Sequence, residues 1–319
     1  MKICMLAPEF LPVWGGVGTY IVELVRHLPK DVEIHVVTPI RNSLGKEKVS
    51  SYDYDFSSIF GRNVQIHFIS HANDTFFYNA KFQYNCLRQV PKLVKEHNID
   101  IVHSHTAHMP DLLLNFRGLS VPIVTTIHTT IRGQRQGTKN SGMGFSGLEF
   151  SEKLTYLTYP VLRCAETVYF LSKRHYITVS DWMKNKIKCE FPDLDSNSIS
   201  VIHNSVDTDW FSPYPKSVKR DIVLFTGRLI AAKGICYLVE AIPRILQKYP
   251  DALFVFIGAG NCIPYQNRLR QLGVPARNFL FLGYLKDSKE LVNYYRAASV
   301  YVAPTNYENL PIRILEAMA

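Results

Sequence analysis

A chain of 319 residues is long enough for two domains of ordinary size. Its 47 % apolar residues supply α/β cores, and with only 20 % charged residues global disorder is excluded. The net charge of +9 is uneven: residues 211–319 hold 14 Lys and Arg against 7 Asp and Glu, which suits a polyanionic ligand as well as a plain solvated basic face.

Residues 2–7 (KICMLA) read as a buried strand, too short before Pro8 for a signal peptide. No run of about 18 apolar residues follows anywhere, so no spanning helix is predicted. A loop with Gly15 and Gly16 leads to an amphipathic helix over 18–27. Strands are predicted over 32–39, 63–70, 99–105 and 121–128, with a helix of alternating apolar and basic residues over 81–97. The last two strands lack polar alternation, as buried parallel strands do. The stretch 131–147, rich in Gly, Ser and Asn, is predicted to be a mobile loop, and one long helix is predicted over 148–171. Strands over 175–180 and 198–206 close the first half. Residues 208–221 carry two prolines and a charged cluster and read as a linker. Strand and helix then alternate again, ending in a helix opened by Pro311. The rhythm predicts an α/β fold of two doubly wound sheets: 1–207, a linker over 208–221, and an incomplete second domain over 222–319.

Six cysteines, at 4, 86, 164, 189, 236 and 262, form no C-x-x-C pair. They read as buried free thiols of a reducing, cytoplasmic compartment.

Chemistry concentrates in two segments. In VLFTGRLIAAKG a strand ends at Thr226, the chain turns at Gly227, and Arg228 and Lys233 flank a short turn before a helix. Ligands of such sheets bind at carboxyl strand ends, and this pair suits a diphosphate. In VYVAPTNYENLPIRILEAMA a strand ends at Pro304, Glu308 lies in the following loop, Asn309 is placed to cap the next helix, and Glu316 falls inside it. Two carboxylates beside a diphosphate make sense as acceptors from sugar and ribose hydroxyls. His103, His105 and His108 are metal ligands by type, and two on one strand share a face. No Cys or carboxylate joins them at ligand spacing, so they read as structural or site-lining. The D-x-D at Asp53–Asp55 reads as loop chance, and Gly16-Val17-Gly18 and Gly258-Ala259-Gly260 lack the third glycine of a dinucleotide fingerprint.

G-R-x4-K at 227–233 followed by E-x7-E at 308–316 resembles glycosyltransferase family 4, which has the GT-B architecture of two facing Rossmann-like domains. The likeness runs along the chain. PEFLPVWGGVGTY is similar to the family's glycine loop, DIVHSHTAH and VPIVTTIHTT to its strand-borne histidines, VSDWMKNKI and VIHNSVDTDWF to the segments before its hinge, and FLGYLKDSKELVNYYRAASVYVAPTNYEN to its donor-side pattern. The resemblance implies a retaining hexosyltransferase that uses a nucleotide-diphosphate sugar as co-substrate and needs neither cofactor nor metal. It implies that Arg228 and Lys233 hold the diphosphate, Glu308 the donor sugar, Glu316 the ribose, the backbone of Asn309 and Leu310 the sugar and phosphate, and the backbone near Tyr284 the base. Gly15 and Gly16 would let the first-domain loop close on the phosphates, and His128 would face the sugar. Spacing alone also fits His128 as a core histidine.

The implied partners are the donor and a glycan or lipid-linked acceptor, not nucleic acid. Arg132, Arg135, Lys139, Lys81, Arg88, Lys92 and Lys95 fit two acceptors equally: one reached through peripheral contact with an anionic cytoplasmic membrane face, or a soluble one beside ordinary solvated cations. Family members run past EAMA, so a second domain cut short at its C-terminus is expected, with self-association covering its open face. The competing readings are a non-catalytic nucleotide-sugar-binding fragment and a sugar-nucleotide epimerase of the same architecture.

Overall fold

The structure, a computed structural model, describes all residues except 14, 45, 46, 73–76, 107, 108 and 214–220. It divides into two units: unit 1 is Met1–Arg132 with Leu157–Asn204, and unit 2 is Gly133–Tyr156 with Ser205–Ala319.

In chain order the first elements are β1 Lys2–Leu6, α1 Gly16–His27, β2 Glu33–Arg41, the short β3 Ser43–Leu44 and β4 Glu47–Lys48, α2 Phe56–Phe60, β5 Val64–Ala72, α3 Phe77–Glu96, β6 Ile101–His105, α4 Leu114–Arg117 and β7 Ile123–Ile127. Then come α5 Ile131–Asn140, α6 Phe150–Leu157, α7 Tyr159–Phe170, β8 His175–Thr178, α8 Asp181–Glu190 and β9 Ile199–Val201. The rest is β10 Ile222–Thr226, α9 Ile235–Lys248, β11 Leu253–Ile257, α10 Ile263–Gln271, β12 Phe279–Gly283, α11 Ser288–Ala297, β13 Val300–Tyr301 and α12 Ile312–Met318.

Unit 1 is built on a sheet of order β5-β2-β1-β6-β7-β8-β9 and unit 2 on one of order β12-β11-β10-β13. Every pair in both sheets is parallel. The apolar runs that predicted buried strands are apolar because both faces are covered. Ile3 and Met5 pack with α1, whereas Cys4 and Leu6 point the other way, toward Phe82, Cys86 and Val90 of α3. Likewise Phe254 and Phe256 enter one core of unit 2, and Val255 and Ile257 enter the other. Both units are therefore doubly wound, as the alternating pattern predicts.

Local structure departs from the sequence reading in four places. Residues Ile131–Asn140, expected as loop, form helix α5. The long helix over 148–171 is two helices, broken at Thr158 where Pro160 enters the first turn of α7 and has no N–H to continue α6. Helix α12 is capped by Pro311 without a side-chain bond, so the capping expected of Asn309 is not made. Of the six free cysteines only Cys4 and Cys86 are buried, with the Cys4 thiol pushed up by burial to about 12, while Cys164 and Cys189 are exposed. Half of the expected linker, residues 214–220, lies outside the described residues. Asp53 and Asp55 belong to turn and helix caps, Asp55 accepting from the amides of Ser57 and Ser58. Among the described residues, no helix is long and apolar enough to cross a membrane.

Candidate functional site

In unit 2 the turns after three adjacent strands are tied together by backbone bonds. Gly227 N–H donates to the Ile257 carbonyl at 2.8 Å, Leu229 N–H to Ala259 at 2.8 Å, and Gly258 N–H to Gly283 at 2.8 Å. The turns approach so closely that a Cβ on Gly258 would lie 1.9 Å from the Gly227 oxygen, at a φ of +147° that only glycine adopts easily. Arg228 and Tyr284 follow directly on two of these turns, at the carboxyl edge of the sheet, where doubly wound folds bind ligands.

The fourth strand brings in the other segment. The Ala232 carbonyl accepts from the Asn306 N–H at 3.0 Å and from Thr305 Oγ1 at 3.2 Å. The turn carrying Arg228 and Lys233 is thereby fastened to the loop carrying Glu308, Asn309 and Leu310. Gly234 makes this possible: its φ is +66°, and a Cβ there would lie 1.9 Å from the Pro304 oxygen. Lys233 Nζ pairs with Glu308 Oε1, and both side chains are about a quarter exposed. Arg228, Lys233 and Glu308 are thus carried on two segments fastened to each other, with the Glu308 carboxylate on Lys233. Glu316 is different. Its carboxylate, nearly fully buried, accepts from Tyr295 Oη at 2.7 Å and from Arg313 Nη1 at 2.9 and 3.0 Å. The charge of Glu316 in turn raises the pKa of Arg313, and burial holds Tyr295 well above its ordinary value. Glu316 therefore reaches the edge through a network rather than as an open side chain.

Sequence reasoning missed what α5 and α6 contribute. Gly133 and Gly137, one helical turn apart, face Tyr307: an added Cβ would lie 2.2 Å from its Cζ or 2.7 Å from its Cβ. These glycines, read as marks of a loop, are the contact that seats the residue before Glu308. Glu152, buried on α6, accepts from the Ala231 and Ala232 amides at 3.3 Å each, between Arg228 and Lys233 in sequence, and Glu149 accepts from the Asn261 amide at 3.0 Å. Those amides are occupied by carboxylate, which leaves Arg228 and Lys233 as the cations of the turn. The only local signal was that Glu152 stands at the third position of α6 and bonds back to the Glu149 N–H at 3.2 Å, a helix-start pattern.

In unit 1, Gly15 precedes α1 in the loop after β1, and His128 follows β7. Tyr20 of α1 meets the His128 ring edge-on at 4.7 Å between centroids, so the glycine loop's helix and His128 share the carboxyl edge of that sheet. A Cβ on Gly15 would lie 2.7 Å from Glu9 Oε2, whereas one on Gly16 would meet nothing within 4 Å. His128 Nε2 lies 3.1 Å from His105 Nδ1, and His103 Nε2 lies 2.8 Å from Thr126 Oγ1. Burial holds His103 down to about 4 and His105 well below its ordinary value, so both rings are neutral parts of the interior. His108 is outside the described residues.

Two units, each built on a parallel, doubly wound sheet, define the class: a two-unit α/β protein. The Glycosyltransferase Family 4 profile matches residues 14–210, and the Glycosyl transferases group 1 profile matches 220–319. Alpha-maltose-1-phosphate synthase of Mycolicibacterium smegmatis is 25 % identical across 100 % of this chain and 78 % of its own length. Phosphatidyl-myo-inositol mannosyltransferase of Mycobacterium tuberculosis is 27 % identical, across 100 % and 75 %. The crystal structure of HepE from Anabaena in complex with UDP and glucose superposes with a TM-score of 0.68 at 15 % identity, covering 100 % of this chain and 78 % of that one. The chain belongs to glycosyltransferase family 4 and is a glycosyltransferase with the GT-B fold.

Proposed function

We propose that the chain moves a hexosyl group from a nucleoside diphosphate sugar to a hydroxyl of a glycan or lipid-linked acceptor, in the cytoplasm, with retention and without a metal in the transfer step. The observation that carries this reading is the turn of Arg228 and Lys233, fastened through the Ala232 carbonyl to the loop of Glu308. As the bond from the anomeric carbon to the diphosphate oxygen breaks, negative charge grows on the diphosphate. Arg228 and Lys233 sit where they meet that charge, so they bind the transition state more tightly than the donor. With two cations in place, no divalent ion is required for neutralisation. Glu308 exchanges its partner on Lys233 for donor-sugar hydroxyls. The acceptor oxygen attacks the anomeric carbon as its proton passes to the departing diphosphate, so charge and atoms balance. Retention follows from attack on the face the diphosphate leaves. The HepE structure, with UDP and glucose, supports a nucleotide-linked donor. Of the two relatives, one is named for a sugar phosphate it makes and the other for transfer of mannose to a phosphatidylinositol, so a lipid-linked acceptor has a precedent among them.

The test is product stereochemistry. With an α-linked donor, proton NMR of the first turnover should show an α product, at a rate that does not rise when Mg²⁺ or Mn²⁺ is added. A β product, or a rate that depends on added metal, would overturn the reading.

A further inference from the structure

A second group of converging side chains lies at the opposite edge of unit 1's sheet. Strands β2 and β5 are parallel, with Val37 opposite His67, so His35 and His67 project from neighbouring strands on the α3 side. His97 follows the end of α3. One nitrogen from each of the three rings lies within 4.8 Å of the other two. His35 Nδ1 is 3.0 Å from His67 Nε2, and the His35–His97 ring centroids are 4.3 Å apart. His35 is fully buried, and its other nitrogen, Nε2, is 2.9 Å from Glu33 Oε1. Glu33 Oε2 is in turn 3.0 Å from Lys2 Nζ.

We propose that His35, His67 and His97 bind a divalent first-row transition ion, zinc foremost. An ion about 2.0–2.1 Å from each imidazole nitrogen needs those nitrogens roughly 3.3–3.5 Å apart, and the observed spread brackets that figure. Glu33 supplies the partner that metal-bound histidines normally have. By accepting the His35 Nε2 proton it fixes the tautomer and turns the Nδ1 lone pair toward the other rings. An all-imidazole set suits zinc, copper, nickel or cobalt and is a poor host for Mg²⁺ or Ca²⁺. The half-exposure of His67 and His97 leaves a fourth position for water. Glu33 opens β2 and pairs in register with Lys2 at the start of β1, so the group sits at the amino edge, away from Gly15, Gly16 and His128. An ion there fastens β2, β5 and the end of α3 without entering the transfer reaction, so the inference stands independently of the donor reading.

The experiment uses the full chain without a histidine tag, stripped by chelator and titrated with Zn²⁺. Calorimetry and elemental analysis should give one ion per chain, with a rise in melting temperature. X-ray absorption should show three nitrogen neighbours at about 2.0–2.1 Å. His97→Gln at the half-exposed position should abolish stoichiometric binding while the chain stays folded by circular dichroism. Glu33→Gln, which acts through His35, should weaken affinity by about 10–100-fold. His128→Ala should bind zinc as the parent does. A folded parent chain with no stoichiometric zinc, or a His97→Gln chain that binds equally, would overturn the proposal.

Discussion

Each unit holds an ion pair at the heart of its polar structure, and the two are built differently. In unit 1, Arg174 and Asp111 are dry, with side chains 4 % and 0 % exposed. Asp111 also accepts from Ser104 Oγ and from Tyr169 Oη at 2.7 Å, while Arg174 reaches Asn115 and Thr125. In unit 2, Lys233 and Glu308 are 27 % and 26 % exposed, at the rim of the sheet. The buried pair keeps its partners within the protein, so it can only hold structure. The open pair can trade each partner for a ligand: phosphate oxygens for Glu308 on the lysine, hydroxyls for Lys233 on the carboxylate. Solvent access, more than charge type, is what leaves the second pair open to exchange and the first closed.

The sharpest way to break this comparison is Arg174→Ala. Removing one partner leaves the Asp111 charge buried, which should lower unfolding free energy by about 3–5 kcal/mol in urea titrations. A loss below about 1 kcal/mol would mean that water reaches Asp111 and that the two pairs are alike. Acid should act on unit 1 in the same direction. His103 is held down to about 4 in the fold, against 6.5 for an unburied ring. Between those values the unfolded chain carries a proton that the folded chain lacks. Stability is therefore complete above about pH 6.5 and falls toward pH 4, by about 1.4 kcal/mol per pH unit for this ring. His105 adds the same sign. Urea midpoints at pH 7.5, 6 and 5 should drop in that order, and less steeply in His103→Gln. A flat profile would contradict the burial argument.

A smaller effect sharpens the picture of unit 2. Gly137→Ala pushes a Cβ to 2.7 Å from Tyr307 Cβ. Displacing Tyr307 moves the Glu308 loop, at a cost of about 1–3 kcal/mol for overpacking. Nucleotide affinity should fall more than thermal stability does. If melting temperature falls and affinity is unchanged, α5 is packing alone and does not position the loop.

What the sequence disclosed and what it hid follow from range. The strands were legible because burial on both faces writes itself as short apolar runs. That Arg228 and Lys233 share one turn and Glu308 lies in the loop after another strand was legible because the segments G-R-x4-K and E-x7-E each follow a short apolar run. Helix α5 was hidden because Gly133 and Gly137 lower helix propensity, and what compensates is Tyr307, far along the chain. Glu152 was hidden for the same reason: its helix-start role is local, its bonds to the Ala231 and Ala232 amides are not. His35, His67 and His97 come from three elements and have no common motif, whereas His103 and His105, adjacent by type, proved to be engaged with Thr126, Met5 and His128.

The central claim is that the edge carrying Arg228 and Lys233 binds a nucleoside diphosphate. The most direct measurement is the melting temperature of the chain against UDP, GDP and ADP, with Arg228→Ala alongside. One base should raise it selectively, as about 2.7 kcal/mol of added stability at a hundred times the dissociation constant, and the rise should vanish in Arg228→Ala. No rise with any of the three, or a rise that survives in the variant, would contradict the account.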